Sequence, residues 1–171
     1  MKLYLAGSIY LGLIPSPEKN LPWREWITPK LAALGIRVLN PLHKPEEAKS
    51  IPTMKRLKRE GRLSALKDFC VKKVIDPDLE MIKESEGIIA VFERDSSGRI
   101  LWSAGTVSEV FFTWHTLRKP ALIVIPGMTQ EDYIEQVGAF IVGMATMIFD
   151  SFEELLAHLE SRTNWAKWTR K

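Results

Sequence analysis

The sequence predicts an α/β protein built on a doubly wound parallel sheet. Five short apolar segments recur along the 171-residue chain, and helix-like sequence separates them. Several of these segments are nearly continuous apolar runs, a pattern typical of strands buried on both faces of a parallel sheet. Strands that alternate with helices give a sheet covered on both faces, and right-handed crossovers then favour the doubly wound topology.

The elements follow from local patterns. Strands are predicted at 2–6, 36–40, 87–92, 121–125 and 146–149, and helices at 22–34, 64–85, 106–117 and 151–159. Pro29 kinks or splits the first helix, and Pro77 breaks the second, so that a fresh helix starts near Asp76 or Asp78. Ser151 is the expected N-cap of the last helix, with Glu154 as its capping-box partner.

Length and composition predict one domain over 1–160, followed by a basic tail over 161–171. The segment 44–73 is a basic insertion with ten Lys/Arg and four Asp/Glu, a local charge of +6 in a chain of net +3. It either contacts a phosphate-bearing partner or forms a solvated helical face. Its first part, 44–62, is long for a loop and is predicted to form a short helix in a mobile flap, and 93–102 is predicted to form a small hairpin.

Residue usage excludes several classes of site. The single cysteine, Cys70, excludes an internal disulfide and a cysteine-based zinc site. The three histidines show no metal-binding spacing. The apolar N-terminus is typical of a first strand rather than a signal peptide, and no apolar run is long enough to span a bilayer. We therefore expect a cytoplasmic protein without a membrane partner.

Doubly wound sheets bind ligands at the carboxyl ends of their strands. This rule selects the segments 7–9, 40–43, 93–105 and 126–128. After the first strand, Gly7 lets backbone approach a ligand and Ser8 offers a hydroxyl, although both residues also favour a tight turn.

The stretch "SAGTVSE" is the second candidate. Gly105 and Thr106 open a helix whose free N–H groups favour an anion, and Ser103 adds a hydroxyl. Glu109 follows one turn later in a mostly apolar helix, where an ionised carboxylate costs several kcal/mol unless it is compensated. Glu109 is therefore either a site residue that faces a pocket or a charge matched to the helix dipole.

Two aspartates precede the third strand. Asp76 and Asp78 are each either the N-cap of the following helix or a carboxylate placed near Glu109. Two carboxylates in different environments are the usual equipment for breaking a glycosidic bond. The tryptophans at 23, 26 and 102 either stack on a base or pack in the core.

Five stretches resemble one family in their order along the chain. They are "MKLYLAGSI", "LNP", "DLEMIKESEGIIAVF", "GTVSEVFFTWHTLRKPALIVIP" and "MATMIFDSFEELLAHL". This order resembles the nucleoside 2-deoxyribosyltransferase-like superfamily over most of the chain, apart from 44–74 and 93–102. The resemblance implies a flavodoxin-like five-stranded parallel sheet, a nucleoside or nucleotide substrate, no metal or organic cofactor, and a homo-oligomer whose sites a neighbouring subunit completes.

The resemblance also implies roles for individual residues. Glu109 falls on the glutamate that attacks the anomeric carbon of the sugar, Asp78 on an acidic site residue, and Tyr4 on a tyrosine near the site. Substrate contacts are implied for the strand-end residues Gly7, Ser8 and Ile9 and for the helix-start residues Ser103, Gly105 and Thr106.

Position 103 departs from the transferase pattern. Nucleoside transferases carry an aspartate six positions before the nucleophile, where this chain has Ser103. A serine there resembles the branch that hydrolyses 2′-deoxynucleoside 5′-monophosphates, in which it helps to hold the 5′-phosphate. Hydrolysis and transfer to another base both stay open. A non-catalytic nucleotide-binding module on the same fold is the alternative, and nucleic-acid binding ranks last because no recognised motif supports it.

Overall fold

The computed structural model describes residues 1–8, 23–43 and 45–161. Five strands form one sheet: β1 (Lys2–Gly7), β2 (Arg37–Leu39), β3 (Gly87–Val91), β4 (Ala121–Val124) and β5 (Met147–Phe149). All neighbours are parallel, in the order β2-β1-β3-β4-β5. This is the flavodoxin-like order, so the predicted fold class is confirmed, with each strand within one residue of its predicted bounds.

Eight α-helices lie in the described part of the chain: α1 (Trp23–Ala33), α2 (Pro45–Arg59), α3 (Leu63–Cys70), α4 (Asp76–Glu84), α5 (Ala104–Phe111), α6 (Gln130–Glu135), α7 (Ala139–Met144) and α8 (Phe152–Glu160). Wider π-helical turns continue α3 at Val71–Ile75 and α5 at Phe112–Thr116. A 3₁₀ turn occupies Pro41–His43.

The core forms two layers, one on each face of the sheet. Because side chains alternate along a strand, Tyr4 and Ala6 of β1 point to one face, whereas Leu3 and Leu5 point to the other. The first layer includes Ile82 of α4, Val110 of α5 and Ile141 of α7. The second includes Ile27 of α1 and Leu155 of α8.

The strand order reverses direction beside β1, which places the topological switch point between β1 and β3. Gly7, the last residue of β1, pairs with Val91, the last residue of β3. Both strands therefore end at the same edge of the sheet. Ligands of such sheets bind outside this edge, so the segments that follow β1 and β3 frame the candidate site.

The two prolines inside the predicted helices follow expectation to different extents. Pro29 lies inside α1, which is one continuous helix, so the predicted split is wrong. The α4 helix starts at Asp76 as predicted, but a π turn leads into it, and the Asp76 N–H donates to the carbonyl of Val71. The wide turn accommodates Pro77, which has no N–H to donate. Ile75 holds the N-cap position, so neither aspartate is the predicted N-cap.

The basic insertion contains the predicted helix, which is longer than expected. Helix α2 has 15 residues and includes Pro52. It packs against α3, with Leu57 buried and the sulfur of Met54 3.7 Å from that of Cys70. These contacts stabilise α2 although a proline inside a helix is unfavourable.

Two smaller predictions are confirmed in modified form. The 93–102 segment turns back on itself through one antiparallel bridge between Arg94 and Ile100, with Gly98 at a φ of +82°. Ser151 caps α8 by accepting from the Glu154 N–H, whereas the Glu154 carboxylate accepts from the N–H of Asp150.

Within the described ranges, no helix combines the length and apolar character that crossing a membrane requires. The division into a domain at 1–160 and a basic tail at 161–171 stays a prediction, and the tail beyond residue 161 lies outside the described residues.

Candidate active site

A buried tyrosine holds the candidate nucleophile. The hydroxyl of Tyr4, on β1, donates to Oε1 of Glu109, on α5, at 2.7 Å. Tyr4 is fully buried, and Glu109 is half-buried. Burial, together with the negative charges of Glu109 and Asp78, raises the pKa of Tyr4 above its ordinary value. The hydroxyl therefore stays protonated at neutral pH and fixes one oxygen of the carboxylate.

Asp78 approaches the same tyrosine from α4. Its side chain is buried, with 6 % of the residue exposed, and its charge acts on both Tyr4 and Arg24. The structure thus brings Tyr4, Asp78 and Glu109 together from three elements that are far apart in sequence. A pair of carboxylates in unequal environments lies beside a fixed hydroxyl donor.

Two charged residues of this region were not among the predicted site residues. Arg24, near the start of α1, is 4 % exposed, and its Nη2 donates to the carbonyl of Gly7 at 2.9 Å. Glu93, which follows β3, is half-buried. Burial raises the pKa of Glu93, and the Arg24 charge opposes that shift. Burial also lowers the pKa of Arg24, against the charges of the surrounding acidic groups.

The sequence contains a feature that could have identified Arg24 and Glu93 as candidate site residues. Glu93 begins the segment that follows the third predicted strand, where ligands bind. Arg24 has helical spacing with Ile27 and Leu31, the buried stripe of α1. A cation on such a stripe needs a buried partner, because an isolated charge in a protein interior is costly.

Gly7 has a packing role. A Cβ at this position would lie 2.8 Å from Cζ2 of Trp23 and 3.2 Å from Nη2 of Arg24. The glycine therefore lets α1 approach the end of β1, and its carbonyl is taken by the guanidinium. Ser8 follows at the sheet edge and is half-buried, whereas Ile9 lies outside the described residues.

The start of α5 provides polar groups beside open space. Ser103 is the N-cap, and its Oγ accepts from the Thr106 N–H at 3.5 Å, a long hydrogen bond. A Cβ on Gly105 would meet only Ser103 Oγ, at 3.8 Å. Thr106 Oγ1 is buried and has no hydrogen-bond partner in the part of the chain that the structure describes. The first-turn N–H groups favour an anion at this end of the helix.

The α5 helix is less buried than its apolar sequence predicts. Val110 and Thr113 are fully buried against the sheet, but Phe111 is 44 % exposed and stacks on His115 at 4.8 Å. Only one face of the helix can contact the sheet, so the apolar side chains around the rest of its circumference extend outward. Glu109 lies between these faces, where it can contact both Tyr4 and solvent.

The tryptophans differ in their surroundings. Trp23 is buried in the core and stacks on Phe152, as the packing interpretation predicts, and Trp26 also contacts that ring. Trp102, next to Ser103, packs on Phe92 but remains 37 % exposed. It is the most exposed of the three and borders the start of α5.

A charged network fixes the hairpin after β3. Arg94 forms a salt bridge of 2.7 Å with Asp132 and donates to the carbonyls of Pro126, Gly98 and Gly127. It thereby ties the hairpin to the loop after β4. Both segments follow the carboxyl ends of strands, so the network fixes one border of the candidate site. Among the described residues, no group of three or more His, Cys, Asp or Glu side chains could hold a metal ion.

No family model and no curated protein matches the chain. A solved structure of a 2-deoxyribosyltransferase from the psychrotolerant bacterium Bacillus psychrosaccharolyticus does match, with a TM-score of 0.57. The chain has the fold of a 2-deoxyribosyltransferase. The likeness covers 100 % of this chain and 98 % of the other at 20 % sequence identity. The resemblance inferred from the sequence is thus confirmed at the level of the fold.

Proposed function

We propose that this protein cleaves the N-glycosidic bond of a deoxynucleoside or of its 5′-monophosphate through a covalent intermediate on Glu109. The hydrogen bond from Tyr4 to Glu109 carries this proposal, because it holds a half-buried carboxylate at the ligand-binding edge of the sheet. The similar solved protein is described as a biocatalyst for the synthesis of nucleosides. That description supports a nucleoside substrate for this chain.

The first step forms one bond and breaks one. A carboxylate oxygen of Glu109 bonds to C1′ of the sugar, the bond from C1′ to the base nitrogen breaks, and its electron pair leaves with the base. The transition state resembles an oxocarbenium ion, which nearby carboxylates stabilise. Asp78 orients the sugar or supplies the proton that the departing base takes up.

The second step decides between two enzyme classes. If water attacks C1′, the oxygen of Glu109 leaves, the free sugar forms and the protein is a hydrolase. If a second base attacks through its nitrogen, a new nucleoside forms and the protein is a transferase. Neither route requires a metal ion or an organic cofactor.

The 5′ end of the substrate binds at the start of α5. The Ser103 hydroxyl and the N–H groups near Gly105 are suited to hold it, and the Thr106 hydroxyl lies in the same turn. Gly7 and Ser8, at the end of β1, contribute further contacts to this subsite. Because Ser103 carries no negative charge, it accommodates a 5′-phosphate that an aspartate would repel.

Exposed apolar side chains on α6 and α7 support the proposal of a homo-oligomer. They are Tyr133, Ile134, Phe140 and Val142, of which Phe140 is 82 % exposed. Exposed groups of this kind are typical of association surfaces. Sedimentation velocity of the wild type and of Phe140→Ser tests this, with the substitution expected to favour the smaller species.

A substrate panel separates the enzymatic possibilities. The protein is incubated with deoxynucleosides and their 5′-monophosphates, with and without a second free base, and the products are resolved by chromatography. Base release from monophosphates alone identifies a hydrolase of nucleotides, whereas base exchange from nucleosides identifies a transferase. Glu109→Gln serves as the inactive control. Calorimetric binding without turnover of any substrate would instead identify a non-catalytic nucleotide-binding module.

A further inference from the structure

Arg24 is a buried cation at the end of β1. Its Nη2 donates to the Gly7 carbonyl at 2.9 Å, and its guanidinium carbon lies 4.4 Å from the centre of the Trp23 ring. Its Nε is buried without a hydrogen-bond partner among the described residues. These contacts fix the position of the guanidinium but do not neutralise its charge, because a carbonyl and an aromatic ring carry no net charge.

The ionisable groups whose charges act on Arg24 are acidic and come from four different parts of the chain. They are Tyr4 of β1, Glu109 of α5, Glu93 after β3 and Asp78 of α4. Tyr4 is protonated at neutral pH, so three carboxylates remain. Partly buried carboxylates that are close together repel each other, and each ionises less readily than it would alone. A buried cation offsets that repulsion more strongly than a cation in water would.

We propose that Arg24 is a positioning residue that keeps Glu109 ionised, and therefore nucleophilic, by its charge at the end of β1. The inference rests on the proposed function insofar as Glu109 is the nucleophile. Helix α1 packs on the face of the sheet opposite to the one that Tyr4 faces, and the Arg24 guanidinium lies at the end of β1.

A purely mechanical role for Arg24 makes a different prediction. If the residue only ties α1 to the Gly7 carbonyl, the number of donors matters and the charge does not. Arg24→Gln keeps an N–H donor and removes the charge, Arg24→Met removes both, and Arg24→Lys keeps the charge. These three variants separate the electrostatic role from the mechanical one.

The test is the pH profile of base release for the wild type and the three variants. We expect the acidic limb of kcat/KM to move up by about one pH unit in Arg24→Gln and Arg24→Met, as is typical when a nearby opposite charge is lost. The limb should move much less in Arg24→Lys. A limb that stays in place in both neutral variants, or that moves equally in all three, would overturn the proposal. If one neutral variant does not fold, the other gives the same comparison.

A second measurement does not depend on turnover. Carbon-13 NMR of protein labelled at the glutamate carboxyl group follows ionisation directly, and Glu109→Gln assigns the Glu109 signal. The midpoint of that signal should rise in Arg24→Gln and stay near the wild-type position in Arg24→Lys. If the wild type cleaves no substrate, the proposed function fails while this titration still decides the role of Arg24. If cleavage occurs and the midpoint does not move, only the Arg24 proposal fails.

Discussion

The hydroxyl of Tyr4 donates to the carboxylate of Glu109 across 2.7 Å. This bond connects β1 to α5, the helix that follows the neighbouring strand β3, near the edge where parallel sheets of this topology bind ligands. Because Tyr4 is fully buried, the tyrosine cannot swing away without disturbing the core. The carboxylate is therefore oriented before any substrate arrives.

Removing this hydroxyl should slow the reaction while leaving the fold intact. Tyr4→Phe keeps the ring and its packing but leaves Glu109 without its donor. Hydrogen bonds to charged groups contribute about 1.5–3 kcal/mol, so we expect kcat/KM to fall about tenfold to a hundredfold. Steady-state kinetics measure the loss, and thermal unfolding serves as the control for the fold. An unchanged rate would show that the hydroxyl does not position the nucleophile.

Position 103 should determine whether a 5′-phosphate is accepted. Ser103→Asp places a negative charge beside the start of α5, where we propose that the phosphate binds. We expect kcat/KM for deoxynucleoside 5′-monophosphates to fall at least about tenfold more than for deoxynucleosides, because like charges repel. Ser103→Ala is the matched control, since it removes the hydroxyl without adding a charge. Equal losses for both substrate classes in Ser103→Asp would place the phosphate elsewhere.

Two glycines near the site should respond oppositely to alanine. Gly7→Ala forces a Cβ to 2.8 Å from the Trp23 ring, so we expect the free energy of unfolding to fall by about 1–3 kcal/mol. Gly105→Ala meets open space, so stability should be kept or slightly improved. Its methyl group would nevertheless occupy the substrate side of the helix start and raise KM. Urea unfolding and kinetics on both variants check this pair, and the reverse order of stabilities would refute it.

The network at the hairpin predicts a pH-dependent stability. The side chain of Arg94, followed by the backbone and side chain of Thr129, lowers the pKa of Asp132. A carboxyl group whose pKa is lower in the folded state stabilises the fold above its unfolded pKa of about 3.9, and this stabilisation is lost as the pH falls through the folded pKa. Asp132→Asn should therefore be less stable than the wild type at neutral pH.

That difference should shrink as the solution is acidified below about pH 4, where Asp132 of the unfolded wild-type chain begins to take up a proton while the folded protein still holds it ionised. Urea unfolding of both proteins across this range measures the effect. Glu153→Gln, at an exposed position of α8, is the control. A constant difference between wild type and Asp132→Asn at all pH values would mean that the ionised form of Asp132 contributes nothing.

The strands of the sheet could be predicted because each one is marked by a local run of apolar residues. Strands such as 87–92 and 121–125 are uninterrupted apolar runs, and a parallel sheet buried on both faces needs such runs. Strand ends then identified the edge at which Gly7 and the 93–105 segment meet. The contact between Tyr4 and Glu109 depends on the order of the strands, which the resemblance implied and local patterns alone do not give.

The features that the sequence did not predict depend on contacts with residues that are distant in the chain. The α2 helix has few apolar residues and contains Pro52, so its sequence favours no more than a short helix, and its packing on α3 cannot be read from the sequence. Arg24 is a charged residue that a surface position would also explain, and only the Gly7 carbonyl and the acidic groups around it show why it is buried. The π turn before Asp76 likewise resolves a conflict between Pro77 and a continuous helical chain.

Intact-protein mass spectrometry detects the proposed covalent intermediate on Glu109. Wild type and Glu109→Gln are mixed with substrate in the absence of an acceptor base and quenched in acid within milliseconds to seconds, and the masses of the proteins are measured. We expect the wild type to gain the mass of one sugar or sugar-phosphate group, peptide fragmentation to place it on Glu109, and Glu109→Gln to gain nothing. An adduct on another residue, or base release by Glu109→Gln at the wild-type rate, would contradict it.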